Sequence, residues 1–288
     1  MRLFLVPVST RRTLLYAQRL GVTTKDQSSA SLLDKGVAFA ARTWAGWEKK
    51  EKGWQRKVVG YGNYAFRRIP FAEWGLKSVP PLSARRRAEE LQGDGGGGGD
   101  GSGKIEVVFP GSVIPETKVE NVARRLATER QAIHRRQMMW CLVGMPITLP
   151  FALVPVIPNL PFFYLVYRAF SNWRAIAGGK HVQWLIENKL LVPSPSKALD
   201  LVYAQSPAAV AKVKDPEAKE EVLLTHTQIR TCTDALGIPE LETELDRAVW
   251  QIEEELKKED QKQQEAGASS PSSKEAGEKS ANKDKKDQ

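Results

Sequence analysis

The sequence predicts a mainly α-helical membrane protein, built on a proline-rich transmembrane or re-entrant helical hairpin with flanking amphipathic helices, a minor strand element and a disordered tail. Residues 138–167 form a run of 30 residues without a charged side chain. Arg135 and Arg136 precede this run, and Arg168 follows it directly. The mean hydropathy of the whole chain is nevertheless −0.39. One long apolar element in an otherwise polar chain is typical of a membrane-anchored protein.

The N-terminal segment, residues 1–27, has two interpretations that can both hold. It contains five basic residues and no acidic residue before Asp26, a composition typical of organelle-targeting peptides. Alternatively, Arg2–Val8 is a short strand followed by a helix, and the segment belongs to the mature fold.

The next segment, residues 28–91, is predicted to be a basic, tryptophan-rich helical region. Residues 42–87 contain twelve basic and three acidic residues, so they account for the whole formal net charge of +9. Aromatic rings interleaved with basic side chains suit a membrane interface, and a helix packed on its own domain is the alternative. The residues predicted at the interface are Trp44, Trp47, Trp54, Arg67, Arg68, Arg135, Arg136, Arg168 and Arg174.

Residues 92–104 are a glycine-rich linker that predicts a flexible connection. The segment 105–192 is expected to begin with a strand, Ile105–Phe109, and to continue with a long helix from about Pro115 into the charge-free run. Gly178 and Gly179 are expected to break the helix that follows. Residues 193–256 are predicted to form a helical arm. Residues 257–288 alternate polar and charged side chains without an aromatic residue, which predicts a disordered tail.

The charge-free run is too long for one straight helix and too short for two complete spans, because about 20 helical residues cross the ~30 Å hydrocarbon core. Its prolines also interrupt helical hydrogen bonding. The run is therefore one kinked span or a hairpin with legs at about 137–154 and 160–175. Basic flanks tend to stay on one side of a membrane and so favour the hairpin. A buried proline-rich hairpin in a soluble domain is the alternative. The residues assigned to the membrane segment are Met138, Pro146, Pro150, Pro155, Pro158, Asn159, Pro161 and Tyr167.

Candidate catalytic and metal-binding groups are sparse. The three histidines, His134, His181 and His226, lie in separate segments, and the two cysteines have no partner at ligand spacing, so we expect no enzyme activity, metal or cofactor. His134 and His181 flank the charge-free run, where they could face each other as a pH sensor or be solvated interfacial residues. No acidic residue lies between Gln137 and Tyr167. A cation–proton exchanger needs a carboxylate there, so one copy of the chain is expected to be inadequate as a complete exchanger.

Four stretches of the sequence carry a resemblance to a known family. They are MRLFLVPVSTRRTLLYAQ, TWAGWEKKEKGWQRKVVGYGNYAFRRIPFAEWGLKSVPP, VVFPGSVIP and PFALVPVIPNLPFFYLVYRAFSNWRAIAGGKHVQWL. With them the chain resembles the fungal mitochondrial K⁺/H⁺ exchange-related family over about residues 1–203. The resemblance implies a mitochondrial inner-membrane protein linked to potassium–proton exchange, and it supplies no ion-binding residues to transfer.

The resulting hypothesis is a protein that takes part in or assists potassium–proton exchange and matrix cation homeostasis. Its expected partners are membrane lipids and either a membrane protein or further copies of the chain. Two alternatives remain open. One is a membrane-anchored scaffold or adaptor. The other is an RNA- or ribosome-associated membrane protein, since the basic segment can also bind nucleic-acid phosphates.

Overall fold

The computed structural model describes residues 1–18, 42–92, 104–148, 150, 159–213, 215 and 217–268. Several predicted features fall partly outside these residues. They are the targeting segment and the tryptophan-rich helix between residues 19 and 41, the glycine linker from residue 93 to 103, the hairpin bend from residue 151 to 158, and the tail from residue 269 onward.

A four-stranded mixed sheet organises the described structure. Its strands are β1 (Arg2–Pro7), β2 (Thr13–Gln18), β3 (Ile105–Phe109) and β4 (Leu191–Pro195), in the order β2-β1-β3-β4. β1 runs antiparallel to β2 and parallel to β3, and β3 runs parallel to β4. The two parallel pairings require long crossover connections, which carry most of the helices.

The strands follow from local sequence. Leu3, Phe4, Leu5 and Val6 are all buried, as expected of a strand covered on both faces. The helix predicted after β1 is instead β2, because the backbone N–H of Val8 donates to the carbonyl of Arg12 and turns the chain back on itself. The predicted strand Ile105–Phe109 is present. β4 was missed because it contains two prolines, which an edge strand tolerates.

The predicted fold class, a mainly α membrane protein with a transmembrane or re-entrant hairpin, is wrong: the fold is mixed α/β. Among the described residues, no helix combines the length and apolar character needed to cross a bilayer. The charge-free run is divided between two helices that continue into charged sequence. The first begins at Gln131 and includes Arg135 and Arg136, and the second runs through Arg168 and Arg174 to Glu187.

The helices pack around the sheet and around one another. A helical segment at residues 42–48 precedes the numbered helices, and a 3₁₀ turn at Glu116–Lys118 lies between the third and fourth. The numbered helices are α1 (Trp54–Arg67), α2 (Phe71–Ser78), α3 (Ala84–Gln92), α4 (Val119–Thr128), α5 (Gln131–Thr148), α6 (Leu160–Glu187), α7 (Lys197–Tyr203), α8 (Pro207–Lys212), α9 (His226–Leu236) and α10 (Leu241–Ala268).

Helix α6 is the hub of the helical layer, since it packs against α2, α4 and α5. Gly178 and Gly179 lie inside it and do not break it. They allow neighbouring backbones to approach closely. A Cβ atom on Gly178 would lie 2.0 Å from the carbonyl oxygen of Leu76 on α2, and one on Gly179 would lie 2.7 Å from that of Ala127 on α4. Both glycines therefore serve helix packing.

The C-terminal helix α10 packs on the same body. The Gln251 side chain accepts from the backbone N–H of Phe71 and donates to the carbonyls of Arg67 and Ile69. These bonds attach α10 to the connection between α1 and α2. Residues 257–268, which were expected to be disordered, continue the helix.

Candidate functional site

A buried charged network joins α2, α5 and α6 at the base of the α5–α6 hairpin. Its centre is Glu73 on α2, which is 0% exposed. Glu73 Oε1 accepts from Arg168 Nη1 at 2.7 Å and from the Ser171 hydroxyl. Arg168 Nη2 donates to Gln137 Oε1 on α5 at 3.3 Å. The carboxylate is therefore neutralised by one guanidinium that also reaches the third helix.

His134 on α5 completes this network and is only 2% exposed. Asn172 Nδ2 donates to the carbonyl of Arg168 at 2.8 Å, which leaves Asn172 Oδ1 as the acceptor 3.0 Å from His134 Nδ1. The proton of a neutral His134 thus belongs on Nδ1. Glu73 Oε2 lies 4.0 Å from the same nitrogen. The structure shows no hydrogen-bond partner among the described residues for Glu73 Oε2 or for His134 Nε2.

Burial controls the protonation of His134. Desolvation lowers its pKa from the usual 6.5, and the nearby Arg130 and Arg168 lower it further. The hydrogen bond to Asn172 and the charge of Glu73 act in the opposite direction. Because desolvation is the largest of these effects, His134 is neutral at neutral pH. Its free Nε2 is then a buried proton acceptor.

A second layer of aromatic and ionic contacts covers the network. Lys77 Nζ lies 3.6 Å from the centroid of the Trp74 ring and 3.2 Å from the Tyr167 hydroxyl. Desolvation lowers the pKa of Lys77 to about 8 and raises that of Tyr167 to about 12. The guanidinium of Arg247 on α10 also stacks over Trp74, 4.3 Å from the ring centroid. Lys77 and Arg247 therefore both make cation–π contacts with Trp74, the residue that follows Glu73.

His181, the other histidine flanking the charge-free run, belongs to a separate buried pair. Its Nε2 lies 2.9 Å from Glu90 Oε2 on α3, and its Nδ1 lies 2.8 Å from the carbonyl oxygen of Pro80. The hypothesis that His134 and His181 face each other is therefore wrong, and neither is a solvated interfacial residue. His134 instead bonds Asn172 on the neighbouring helix α6, and His181 attaches α6 to α3, which is distant in sequence.

Above the charged network, the outer turns of α5 and α6 carry an apolar surface that no described residue covers. We call it the apolar hairpin face. Trp140 is 65% exposed and Ile147 is 69% exposed. Apolar surface repeated on adjacent turns of two packed helices is typical of an interaction site. The exposed residues of this face are Met139, Trp140, Leu142, Val143, Ile147, Phe163, Tyr164 and Val166.

The structure places the predicted prolines at different points of the hairpin. Pro155 and Pro158 lie outside the described residues. Pro146 is inside α5, Pro150 is exposed just beyond it, and Pro161 is in the first turn of α6. Proline in a first helical turn costs no hydrogen bond, because that N–H has no intrahelical partner.

Three other residues of the predicted membrane segment hold the hairpin together. Asn159 is the N-cap of α6: its Oδ1 accepts from the N–H of Phe162 at 3.1 Å, and its Nδ2 donates to the carbonyl of Thr148 at 2.6 Å. Met138 is half-buried on α5, and half-buried Tyr167 meets Lys77 on α2. Asn159 therefore connects the end of α5 to the start of α6.

The predicted aromatic and basic residues at the start of the helical region lie near α1. Trp47 and Trp54 pack edge to face with their ring centroids 5.4 Å apart. Trp44 is half-buried in the segment before α1. Arg67 and Arg68 are exposed at the C-terminal end of α1, where positive charge suits the helix dipole.

The four remaining predicted arginines separate into two groups. Arg135 and Arg136 are exposed on α5. Arg168, in contrast, is buried in its ion pair, and half-buried Arg174 donates to the carbonyl of Lys77 at 3.2 Å. The structure therefore brings only Arg168 of the predicted set into the charged network.

Sequence reasoning missed Glu73, Ser171 and Asn172 as members of the site. Glu73 is the only acidic residue of the short apolar helix α2, and an isolated acid of this kind is the one local indication of a buried pair. Its partner Arg168 is 95 residues away, so the pairing itself has no local indication. Within the described structure, no group of three His, Cys, Asp or Glu residues could hold a metal ion.

Comparisons with known proteins identify a family and two relatives. A model of the family described as mitochondrial K⁺–H⁺ exchange-related matches residues 2–186. An uncharacterised protein of Saccharomyces cerevisiae is 24% identical over 264 residues, covering 85% of this chain and 82% of the relative. An uncharacterised protein of Schizosaccharomyces pombe is 27% identical over 178 residues, covering 62% of this chain and 72% of the relative. No solved structure matches the chain.

Proposed function

The chain belongs to the mitochondrial K⁺–H⁺ exchange-related family, and from this premise we propose that it assists potassium–proton exchange at the inner membrane as a proton-responsive accessory protein. By accessory we mean that it acts on an exchanger and does not itself carry the ion. Family membership associates the chain with mitochondria and with this exchange. The charged network at the base of the hairpin is the observation that supports the accessory role.

The network is poorly suited to carrying potassium. A carboxylate that exchanges a proton for a cation must offer its oxygens to both ions. Glu73 Oε1 is already bound by Arg168 and Ser171, and the fixed positive charge of Arg168 repels a second cation from the same carboxylate. Potassium binding at Glu73 would require the guanidinium to leave.

The network is well suited to responding to protons. His134 Nε2 has no partner among the described residues, so it can take a proton without first breaking a hydrogen bond. The protonated ring carries a positive charge close to Glu73 Oε2 and competes with Arg168 for that carboxylate. His134 and Gln137 lie on α5, Arg168 on α6 and Glu73 on α2. Protonation therefore changes the contacts that set the position of α5 against both other helices.

The pH range of this response follows from the direction of the pKa shift. The pKa of folded His134 lies below its usual value of 6.5, so an unfolded chain binds more protons than the folded chain in the interval between the two values. The stabilisation from neutral His134 is complete above about pH 6.5 and is lost as the pH falls through the lowered value. We expect the described hairpin position to be the neutral-to-alkaline state.

Mitochondria lacking the protein provide the first test. Potassium–proton exchange, followed with a potassium electrode and a matrix pH dye, should fall and should return with the wild-type chain. Restoration with His134→Gln should give exchange that depends less on pH below about 6.5, because the lowered pKa of His134 places its protonation there and glutamine cannot be protonated. His226→Gln is the matched control, since His226 is exposed and bonds Asp246 on the surface. Equal pH dependence in wild type and His134→Gln would contradict the proton-responsive role.

Liposomes provide the second test. Purified, verified monomers in potassium-loaded liposomes should produce no more potassium–proton exchange than protein-free liposomes. Robust proton-coupled potassium flux from the chain alone would overturn the accessory role and make the chain itself the exchanger.

A further inference from the structure

We infer that a groove along α5 binds an anionic phospholipid, with the phosphate on Arg135 and Arg136 and an acyl chain along the apolar hairpin face. This inference deepens the proposed function by naming the membrane component that the hairpin contacts. It concerns a contact at the membrane surface.

The groove has the size and the two-part lining that such a ligand needs. Its volume is about 650 Å³, within the ~300–1,000 Å³ typical of ligand sites. Its basic part is formed by Arg135 and Arg136, and its apolar walls are formed by Met139, Trp140 and Val143 of α5 with Ile176 of α6; Gln131 and Ala132, one turn before the arginines, complete the lining. None of the described residues that line it is acidic.

The two arginines are available for an anion. Both are exposed on α5, and the part of the chain that the structure describes provides no acidic partner for either. The arginines of neighbouring α4 differ in this respect, because Arg124 pairs with Glu120 and Arg125 with Glu129. Guanidinium groups bind phosphate through paired hydrogen bonds, so two adjacent unpaired arginines favour a phosphate head group.

Along its axis α5 changes from basic to apolar, in the same order in which a phospholipid changes from its phosphate to its acyl chains. From Arg136 to Ile147 the helix advances eleven residues, or about 16 Å at ~1.5 Å per residue. The side chains along this distance pass from the arginines to Met139, Val143 and Ile147. With the guanidinium groups at the phosphates, the exposed apolar turns enter the boundary between head groups and acyl chains. Interfacial helices bury their apolar faces about 5–10 Å into this boundary.

A phospholipid explains the arrangement better than a second copy of the chain. Self-association through this face would bury the apolar turns but would leave Arg135 and Arg136 without an anion, because no described residue that lines the groove is acidic. A lipid phosphate neutralises them. The chain carries a formal net charge of +9, which adds a general attraction to anionic membranes.

Vesicle flotation of the full chain tests the inference. The vesicles are phosphatidylcholine alone, or phosphatidylcholine with phosphatidylglycerol. We expect binding only when phosphatidylglycerol is present. The double variant Arg135→Gln/Arg136→Gln should bind these vesicles about 30-fold less tightly, which corresponds to ~1 kcal/mol for each basic residue at an anionic surface. Val143→Asn should weaken binding while keeping every charge.

The matched control is Arg124→Gln/Arg125→Gln, which removes the same charge from exposed positions on α4. It should retain nearly wild-type binding. Equal losses of vesicle binding in the two double variants would show that only net charge matters and would overturn the assignment of the groove as the binding site. Equal binding to neutral vesicles would overturn the phosphate contact. Self-association that Val143→Asn abolishes, without vesicle binding, would assign the face to a second copy and overturn the inference.

These measurements contain no exchanger and no potassium gradient. Failure of vesicle binding therefore leaves the proton-responsive accessory role standing, and failure of the mitochondrial test leaves the lipid site standing.

Discussion

Arg168→Met tests the buried charged network most directly. The variant keeps an unbranched side chain of similar length and removes the guanidinium, so the Glu73 carboxylate remains buried without its counter-ion. Breaking a buried ion pair by removing one partner costs about 3–5 kcal/mol. We expect a value near the lower limit, about 3 kcal/mol, because Ser171 still donates to Glu73 and His134 lies close enough to supply a charge.

The pH dependence of this loss is the distinctive part of the prediction. In the wild type, burial lowers the pKa of His134, so histidine protonation opposes folding. In Arg168→Met the unpaired carboxylate favours protonated His134, and the folded-state pKa rises. Protonation of His134 at low pH therefore costs the variant less folding stability than it costs the wild type. The deficit of the variant should therefore be smaller at about pH 6 than at about pH 8.

Urea unfolding monitored by circular dichroism measures both effects. Arg174→Met is the matched control, since it removes an arginine from the same helix and leaves the Glu73 pair intact. It should cost about 1 kcal/mol, the usual value of a hydrogen bond such as that to the Lys77 carbonyl. A loss below about 1 kcal/mol in Arg168→Met, or an equal deficit at both pH values, would refute the assignment of this network.

Three further predictions concern the hairpin and its surroundings. Asn159→Ala should lower the free energy of unfolding by about 1 kcal/mol, because it removes the N-cap of α6, and hydrogen exchange should increase in the first turn of that helix. Unchanged hydrogen exchange in the first turn of α6 would argue against the capping role of Asn159. Gly178→Ala should destabilise the fold by about 2 kcal/mol or more in thermal and urea unfolding, since the new Cβ would meet the Leu76 carbonyl at 2.0 Å. Gly144→Ala is its control, because its Cβ meets only a flexible leucine side chain, at 3.1 Å, and should be neutral or stabilising. Lys77 has a pKa of about 8, so near pH 8 it should react with an amine-directed acylating reagent ahead of fully exposed lysines. Peptide mass spectrometry measures the order of labelling. If Lys77 were still labelled first in the unfolded chain, the folded structure would not be the cause.

The sequence predicts local elements of this protein better than its long-range pairings. The strand Ile105–Phe109 and the start of the second hairpin leg at Leu160 both follow from local patterns, and both appear at those residues. The membrane prediction failed because hydropathy is averaged along the sequence. It cannot show whether a charged residue beside an apolar run is exposed or buried in an ion pair. Arg168 marks the end of an apolar run in the sequence, whereas in three dimensions it is buried against Glu73.

The same limitation applies to the site. His134 was a candidate because of its position beside the run, but Asn172 and Ser171 look like ordinary polar residues of a helix. They become part of the network only when one turn of α6 faces Glu73. Likewise Gly178 and Gly179 suggest a helix break by propensity. In the folded protein the backbones of α2 and α4 approach these glycines closely, so the glycines support packing of α6 instead of breaking it. This contact is visible only in the tertiary structure.

The position of β1 has a consequence for the order in which the chain can fold as it leaves the ribosome. β1 lies between β2 and β3, and β3 in turn pairs with β4. Because the N-terminus is made first, β1 and β2 can form their hairpin early, but the open edge of β1 stays unpaired until residues 105–109 are available. The other edge of β3 then stays unpaired until residues 191–195 are available to form β4. Such distant parallel pairings are slow to form and leave strand edges available for aggregation. The growing chain is therefore expected to need a chaperone until about two thirds of it has emerged.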